Sequence, residues 1–479
     1  MATFKKLLVA NRSTIAIRII RACRELGIAT IAVYSTADKD ALHVRMADEA
    51  VCIGPPAAED SYLSIPSIMS AALSYGADAV HPGYGFLSEN GDFAEACRRS
   101  EVNFVGPRAR HIRLMGDKPR ARRIMQRAGV PTLPGSLGTG ITELRDAQVD
   151  AGRLGFPVLI KAAAGGGGKG MRIARDADEL AKLFPLARGE SEAAFGSRTM
   201  YLEKYLERAR HVEFQILADN QRNAIHLGER DCSIQRRHQK VLEESPSPAM
   251  TARLREKMGK AAVRAAEVVG YSNVGTVEFL LAPDGAFYFI EMNTRIQVEH
   301  GVTEMVTGID LVKESIRIAA GEPLGLKPRQ VKFAGAAIEC RVYAEDPHTH
   351  LPSPGVVSGH HPPGGLGVRI ETALYDGYRV PVHYDPLIAK VIVQAENRAL
   401  AIKRAAAALR EYLIDGIKTN IPLHLQILAD PDFRAGRYAT DFLKRYETDQ
   451  GAGESASRGQ SQAAGESASR GQSQAAGEV

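Results

Sequence analysis

Apolar positions along this chain follow two rhythms. Residues 6–10 and 30–34 are short, nearly continuous apolar runs, the pattern of strands buried on both faces. Between them, residues 15–26 carry apolar side chains at helical spacing and stop at Gly27, with Ser13 placed as the N-cap. Residues 78–81 and 103–105 repeat the short run after further helical stretches. Strand–helix alternation through the first hundred residues predicts an α/β layer, a parallel sheet with helices on both sides.

Near residue 117 the texture changes. Residues 117–128 read as a helix closed by Gly129, 157–162, 171–174, 199–205 and 212–217 as strands, and 251–269 as a long amphipathic helix. Strands 276–281 and 286–293 flank Ala282-Pro283-Asp284-Gly285, a turn sequence. Beyond about 330, short strands with Pro/Gly turns precede a helix at 398–413, giving an α+β texture. The last stretch differs again. AGESASRGQSQA stands at 452–463 and again at 464–475, with no large apolar residue before Val479. Such a repeat cannot offset its own ordering entropy, so 447–479 is read as a disordered tail.

Composition narrows the class. A hydrophobic content of 44% and charged content of 24% are ordinary for a soluble protein. No apolar run approaches the ~18 residues of a membrane-spanning helix, and the apolar part of MATFKKLLVANR is too short for a signal peptide. The cytoplasm is therefore expected. Five scattered cysteines without a CxxC argue against a disulfide frame or a zinc site. The net charge of +5 is too weak for nucleic acid; the tail holds −3 of it, leaving +8 on the body.

Four clusters carry chemistry. In Lys161-Ala-Ala-Ala-Gly-Gly-Gly-Gly-Lys-Gly-Met171, Gly165, Gly167 and Gly170 satisfy G-x-G-x-x-G, but a strand follows where a Rossmann helix would be needed. A Walker loop fails because Gly170 follows Lys169. A hairpin whose backbone N–H groups approach phosphates remains, against a mobile linker. In the second cluster, a four-residue loop pairs Leu281 with Ala286, sets Glu278 opposite Phe289 and leaves Glu291 its diagonal neighbour, with Asn293 on the same face. Such oxygens suit Mg²⁺ shared with nucleotide phosphates; a solvent-facing sheet is the alternative. Third, if 294–300 is extended, Arg295, Gln297 and Glu299 project together, as an oxyanion site with a base or as a surface ion pair. Fourth, the basic run 230–240 ending in Lys240 lacks the interleaved aromatics of a nucleic-acid patch and reads as a phosphate neighbour. The turn HPGYGFLSEN at 81–90 follows a strand, where open α/β sheets place ligands.

These motifs, with LLVANR, LMGDK, EKYLERARHVEFQI, ERDCSIQRRHQK, FIEMNTRIQVEH, ECRVYAEDP and LPSPG in order over essentially 1–446, closely resemble biotin carboxylase of the ATP-grasp superfamily. The resemblance implies an N-terminal Rossmann-like, pre-ATP-grasp domain at 1–116 and an ATP-grasp domain at 117–330 with a mobile lid about 133–205. A C-terminal biotin carboxylase domain at 331–446 completes it. It implies ATP contacts at Lys118, Lys161, Gly165, Gly166, Gly167, Gly168, Met171, Glu203, Lys204, Leu206, His211, Gln235, His238 and Leu280. Glu278, Glu291 and Asn293 would hold Mg²⁺, or Mn²⁺ in its place. Arg295, Gln297, Val298, Glu299 and Arg341 would form the bicarbonate and biotin pocket, lined also by Tyr84 and Gly85. Glu299 would deprotonate bicarbonate, Lys240 hold the transferring phosphoryl group and Arg341 stabilise the ureido oxygenate of biotin. Biotin would arrive on a separate carrier protein, and a separate carboxyltransferase would use the product; a homodimer is implied, with neither nucleic acid nor membrane.

Some positions depart from the family pattern. Ser13-Thr14 stands for Gly-Glu, Ala163-Ala164 with four glycines for Ser and five, Lys169 for arginine, Gly301 for proline and Leu366 for an aromatic near Arg21, Glu25 and Arg369. None removes a catalytic group. The competing readings are another ATP-grasp ligase, which would not need Arg341 or the 295–299 run, and a non-catalytic partner that keeps the fold.

Overall fold

The computed structural model describes residues 4–136, 140–163 and 171–446. The expected phosphate loop Gly165–168 and the repeat tail lie outside the described residues.

The first layer is a five-stranded parallel sheet in the order Glu49–Gly54, Ala29–Ser35, Lys6–Val9, Ala79–His81, Asn103–Phe104. After Lys6 its central strand is apolar because both faces are covered. Leu7 and Val9 pack with Ile15 and Ile19, while Leu8 packs with Ile31, Val33 and Phe93 on the other side. The first helix, Ser13–Leu26, ends at Gly27 in the left-handed region, as its sequence requires. The N-cap is Arg12, not Ser13. Ser13 is the first residue of the helix, at φ +57°, a conformation that favours glycine. The preceding loop is held by other means. Asn11 Nδ2 donates to the carbonyls of Pro82 and Tyr84, both at 2.7 Å, and Arg12 forms a bidentate buried pair with Asp38 at 2.6 and 2.7 Å.

The second layer is an eight-stranded sheet, antiparallel throughout. Its order is Phe287–Asn293, Asn273–Leu281, Arg210–Ala218, Ala224–Arg236, Gln239–Ser245, Ala336–Tyr343, Leu387–Ala395, Val368–Thr372. The sheet runs without a break across residue 330. Ala336–Tyr343 and Leu387–Ala395 are eight and nine residues long, not short as the turn-rich sequence suggested. They lie inside the sheet, packed on one face by Arg398–Glu411 and on the other by His300–Thr307. The helix at 398 stops at Glu411, earlier than expected, because Leu413–Asp415 pairs with Gly359–His361.

A third, three-stranded sheet joins Arg172–Ala174, Val158–Ala162 and Met200–Lys204. Helices Leu144–Leu154 and Ala177–Phe195 cover it, and Ala147, Ile160, Phe184 and Leu202 form its own core. Among the described residues no helix is long and apolar enough to cross a membrane.

Candidate active site

The hairpin of Asn273–Leu281 and Phe287–Asn293 has a different register from the one its turn suggested. Leu281 pairs with Phe287, so the loop is one residue longer, and the register shifts between Glu278 and Phe279. Glu278 therefore lies directly opposite Glu291, and Thr276 opposite Asn293. The bulge falls at Ile290, and it separates two chemistries. Phe279, Phe287 and Phe289 turn into the apolar core, while Glu278 turns to the polar side. The phenylalanines thus do not share a face with the carboxylates.

The polar face of the sheet is built by strand alternation. On Arg210–Ala218, residues His211, Glu213 and Gln215 sit opposite Leu280, Glu278 and Thr276, and Arg230 sits opposite Glu213. Arg230 is fully buried. It donates to Glu213 at 2.6 Å, Gln215 at 2.7 Å, Thr303 at 3.0 Å, Thr276 at 3.1 Å and Gln297 at 2.7 Å. A buried charge is tolerable only with such pairing. Lys240 is the second hub. Its Nζ lies 2.6 Å from Glu213, 2.6 Å from Glu299 and 3.2 Å from Glu278. Arg341 Nε donates to Glu243 at 2.5 Å and its Nη2 to Glu299 at 2.8 Å.

Residues 294–299 are not extended, contrary to the expectation, but turn into the helix His300–Thr307 with Glu299 as its N-cap residue. The three side chains converge by different routes. Arg295 donates to Glu89 at 2.9 Å and Asn293 Oδ1 at 3.1 Å; Gln297 donates to Glu278 at 2.8 Å; Glu299 meets Lys240 and Arg341. Asn293 Nδ2 also donates to Glu278, at 2.7 Å. Val298 contributes its carbonyl, which accepts from buried Lys390 at 2.7 Å. Tyr84 is half-buried, with its hydroxyl 3.1 Å from Thr14 Oγ1, so the departure at Thr14 reaches a residue of the expected pocket lining. Gly85 lies exposed on the same turn at φ +72°.

On the nucleotide side, Lys118 Nζ lies 3.1 Å from Glu291 and Lys161 Nζ 2.5 Å from Glu203. Lys204 Nζ is bound to the carbonyls of Gly155 and Phe156, at 3.0 and 2.8 Å. His211 Nε2 lies 2.8 Å from Glu278 and its Nδ1 2.8 Å from Gln235. Leu206, Leu280 and Met171 are half-buried. His238 is exposed at a two-residue hairpin tip, with Arg237 and His238 at φ +49° and +66°.

Charge has been arranged to keep the acids ionised. Burial alone would raise Glu278 and Glu299; Lys240 with His211 for the first, and Lys240, Arg341 and Arg230 for the second, outweigh it and hold both well below the usual range. Burial lowers Lys240, but Cys232, Glu213, Glu278 and Glu299 hold it well above its ordinary value. Glu278 and Glu291, opposed across two strands and met by Lys118, Lys240 and the imidazole of His211, offer the hard oxygen donors that Mg²⁺ takes. Glu89, Glu213 and Glu243 were not singled out in the sequence, and Arg230, read there as part of a basic run beside phosphate, is instead buried against Glu213 and Gln297. Alternation at 211, 213 and 215 was a legible signal for Glu213; the others needed the register.

Three family models tile the chain: "Biotin carboxylase, N-terminal domain" over 3–112, "Carbamoyl-phosphate synthase L chain, ATP binding domain" over 117–327 and "Biotin carboxylase C-terminal domain" over 339–445. The chain belongs to the biotin carboxylase family. Its similarity to biotin carboxylase of Nostoc sp. is 59% identity, covering 92% of this chain and 99% of that one. Biotin carboxylase 1 of Bacillus subtilis is 57% identical over 92% of this chain and 99% of its own length. Among solved structures, the biotin carboxylase domain dimer of Hydrogenobacter thermophilus 2-oxoglutarate carboxylase, in complex with MgADP, ADP and bicarbonate, matches at TM-score 0.90 and 50% identity. That match covers 93% of this chain and 98% of the other. Campylobacter jejuni biotin carboxylase matches at TM-score 0.90 and 47% identity, covering 92% and 99%. The biotin carboxylase fold, expected from the motifs, is thus established.

Proposed function

We propose that this chain carboxylates biotin, using ATP and bicarbonate, as the first half-reaction of a multisubunit carboxylase. The observation that carries the reading is the buried row Lys240–Glu299–Arg341, a carboxylate held between two cations beside the acids Glu278 and Glu291. A carboxylate–amine ligase would need the acids but not this row.

Glu299 takes the proton of bicarbonate. Its low pKa reflects the charges of Lys240, Arg341 and Arg230; as Arg341 turns toward substrate, Glu299 loses one of the three and becomes a stronger base. Arg295, fixed by Glu89, holds the bicarbonate oxygens. Bicarbonate oxygen attacks the γ-phosphorus of ATP, giving carboxyphosphate and ADP, with Lys240, Lys118 and Lys161 placed against the phosphate charge. Carboxyphosphate separates into CO₂ and phosphate, phosphate accepts the proton from biotin N1, and N1 adds to CO₂. Arg341 stabilises the negative ureido oxygen meanwhile. Mg²⁺, held by Glu278, Glu291 and Asn293, would supply further neutralisation of phosphate charge.

The working division is 1–116, 117–330 with a lid at about 133–205, and 331–446, and the separate core of the three-stranded sheet supports the lid. Gly165–168, Met171, Leu206, His211, Gln235 and His238 belong to the nucleotide contacts, with Leu280 near the adenine. The proposed partners are a biotin carrier protein and a separate carboxyltransferase, with a homodimer formed where Leu366, at 92% exposure, stands out from the surface. Five free cysteines suit a reducing compartment, and the cytoplasm is proposed.

The test is ADP release and carboxybiotin formation with free biotin. Turnover is expected to require bicarbonate and to rise with biotin. Arg341→Ala is expected to spare bicarbonate-dependent ATP cleavage far more than carboxybiotin formation. Turnover indifferent to biotin, with no carboxybiotin, would sink the proposal.

A further inference from the structure

Behind Arg341 two acids share one face of the central sheet. Glu243 on Gln239–Ser245 pairs directly with Glu339 on Ala336–Tyr343. Residues so paired have Cβ atoms about 5 Å apart on the same face. Both side chains are fully buried, at 0% exposure. Glu243 Oε1 accepts from Arg341, but Glu243 Oε2 and both oxygens of Glu339 have no hydrogen-bond partner among the described residues. The helix starting at His300 closes over them: a Cβ on Gly301 would stand 3.1 Å from Glu339 Oε2. A second cation, Lys390, is bound to Glu371 at 2.5 Å and to the Val298 carbonyl at 2.7 Å.

Two adjacent buried carboxylates sharing so little positive charge cannot both ionise near neutrality. Titratable groups act on them from every element packed against the pair. Their own strands bring Lys240, Arg341 and Tyr343 on the near side and Cys340 on the opposite face; the neighbouring strands bring Cys232, Lys390 and Glu371; the start of the helix brings Glu299, with His300 and Glu304 following on the same helix; the 81–90 turn brings Tyr84. We propose that Glu243 and Glu339 act as one acid pair holding a single proton at neutral pH, and that this pair positions Arg341 for biotin. Burial pushes both carboxyls up against the pull of Arg341 on Glu243 and of Lys390 on Glu339, to about 7 and about 8.

With one proton shared, Arg341 faces one negative charge on the pair and one on Glu299. Loss of that proton to hydroxide at higher pH makes the pair doubly anionic and draws Arg341 back from Glu299 and from biotin. The positioning half rests on the reading of Arg341 as the partner of biotin; the shared proton does not.

The test uses the full chain and free biotin from about pH 6.5 to about pH 9.5. In the parent, carboxybiotin formation should fall up to about tenfold per pH unit above the shared pKa, while bicarbonate-dependent ATP cleavage without biotin changes little. Glu339→Gln mimics the protonated acid. It should keep the neutral rate within about threefold and move the alkaline limb up by at least about one unit. Infrared titration reads the proton directly: a protonated-carboxyl band present at neutral pH should bleach with rising pH and be missing from Glu339→Gln. Absence of that band from the parent, or an unmoved limb in Glu339→Gln, overturns the acid pair. A titrating band together with an Arg341→Ala variant that still carboxylates biotin would overturn the positioning of Arg341 alone.

Discussion

Replacing Arg230 by methionine keeps most of the volume and removes a guanidinium that serves five side chains at 2.6–3.1 Å. The magnitude follows from what is stranded. Glu213, at 0% exposure, loses one partner but keeps Lys240 at 2.6 Å, so the broken pair costs about 3 kcal/mol, the low end for a buried pair. The amide oxygens of Gln215 and Gln297 each lose a charged donor in a dry site, about 1 kcal/mol apiece. The total, about 5 kcal/mol, corresponds to a Tm lower by roughly 5 °C for more than 400 residues that unfold together. Gln297 also loses its anchor while still bound to Glu278, so the KM for bicarbonate should rise in whatever protein folds. Arg230→Lys retains the charge without the planar fork and should recover less than half of the loss. Differential scanning fluorimetry and urea unfolding are the assays. A loss below about 1 kcal/mol would refute the view that Arg230 ties the strand face to the 294–299 turn.

Three further outcomes are expected. Glu89→Gln should leave Tm nearly unchanged, since Glu89 is exposed, yet raise the bicarbonate KM roughly fivefold by freeing Arg295; an unchanged KM contradicts the tie. Gly301→Pro, which restores the usual family residue, should destabilise by about 1–3 kcal/mol, because a Cβ there would meet Ile392 Cδ1 at 2.4 Å; Ile392→Val removes that methyl and should recover much of the loss in the double variant, as measured by urea unfolding. Stability should fall steeply from about pH 6.5 towards pH 4. His43, His300 and His424 are buried neutral, each lowered to about 4, chiefly by burial; the unfolded chain takes up their protons first, so each gives up to about 3 kcal/mol present above pH 6.5 and lost as pH falls through that window. Urea midpoints that stay level between about pH 6.5 and about pH 5 would contradict this.

Local pattern carried the elements and their chemistry. Leu7, Leu8 and Val9 could only be a strand covered on both faces, and Gly27 could only end its helix, since spacing and backbone freedom are properties of a few adjacent residues. The motifs around Lys240, Glu278, Glu299 and Arg341 likewise identified the family, because the reacting groups lie in short continuous runs. Partnership was a different matter. Nothing next to Ile290 announces the bulge that sets Glu278 against Glu291 and sends the phenylalanines inward. Glu89 reaches Arg295 across 206 residues, Arg230 reaches Gln297 across 67, and Glu243 meets Arg341 across 98. Those ties depend on how strands pair and where a helix packs. Pairing is decided by burying the whole sheet at once, so only the tertiary structure could say which charges neutralise which, and leave Glu243 and Glu339 side by side with Arg341 bound to only one of them.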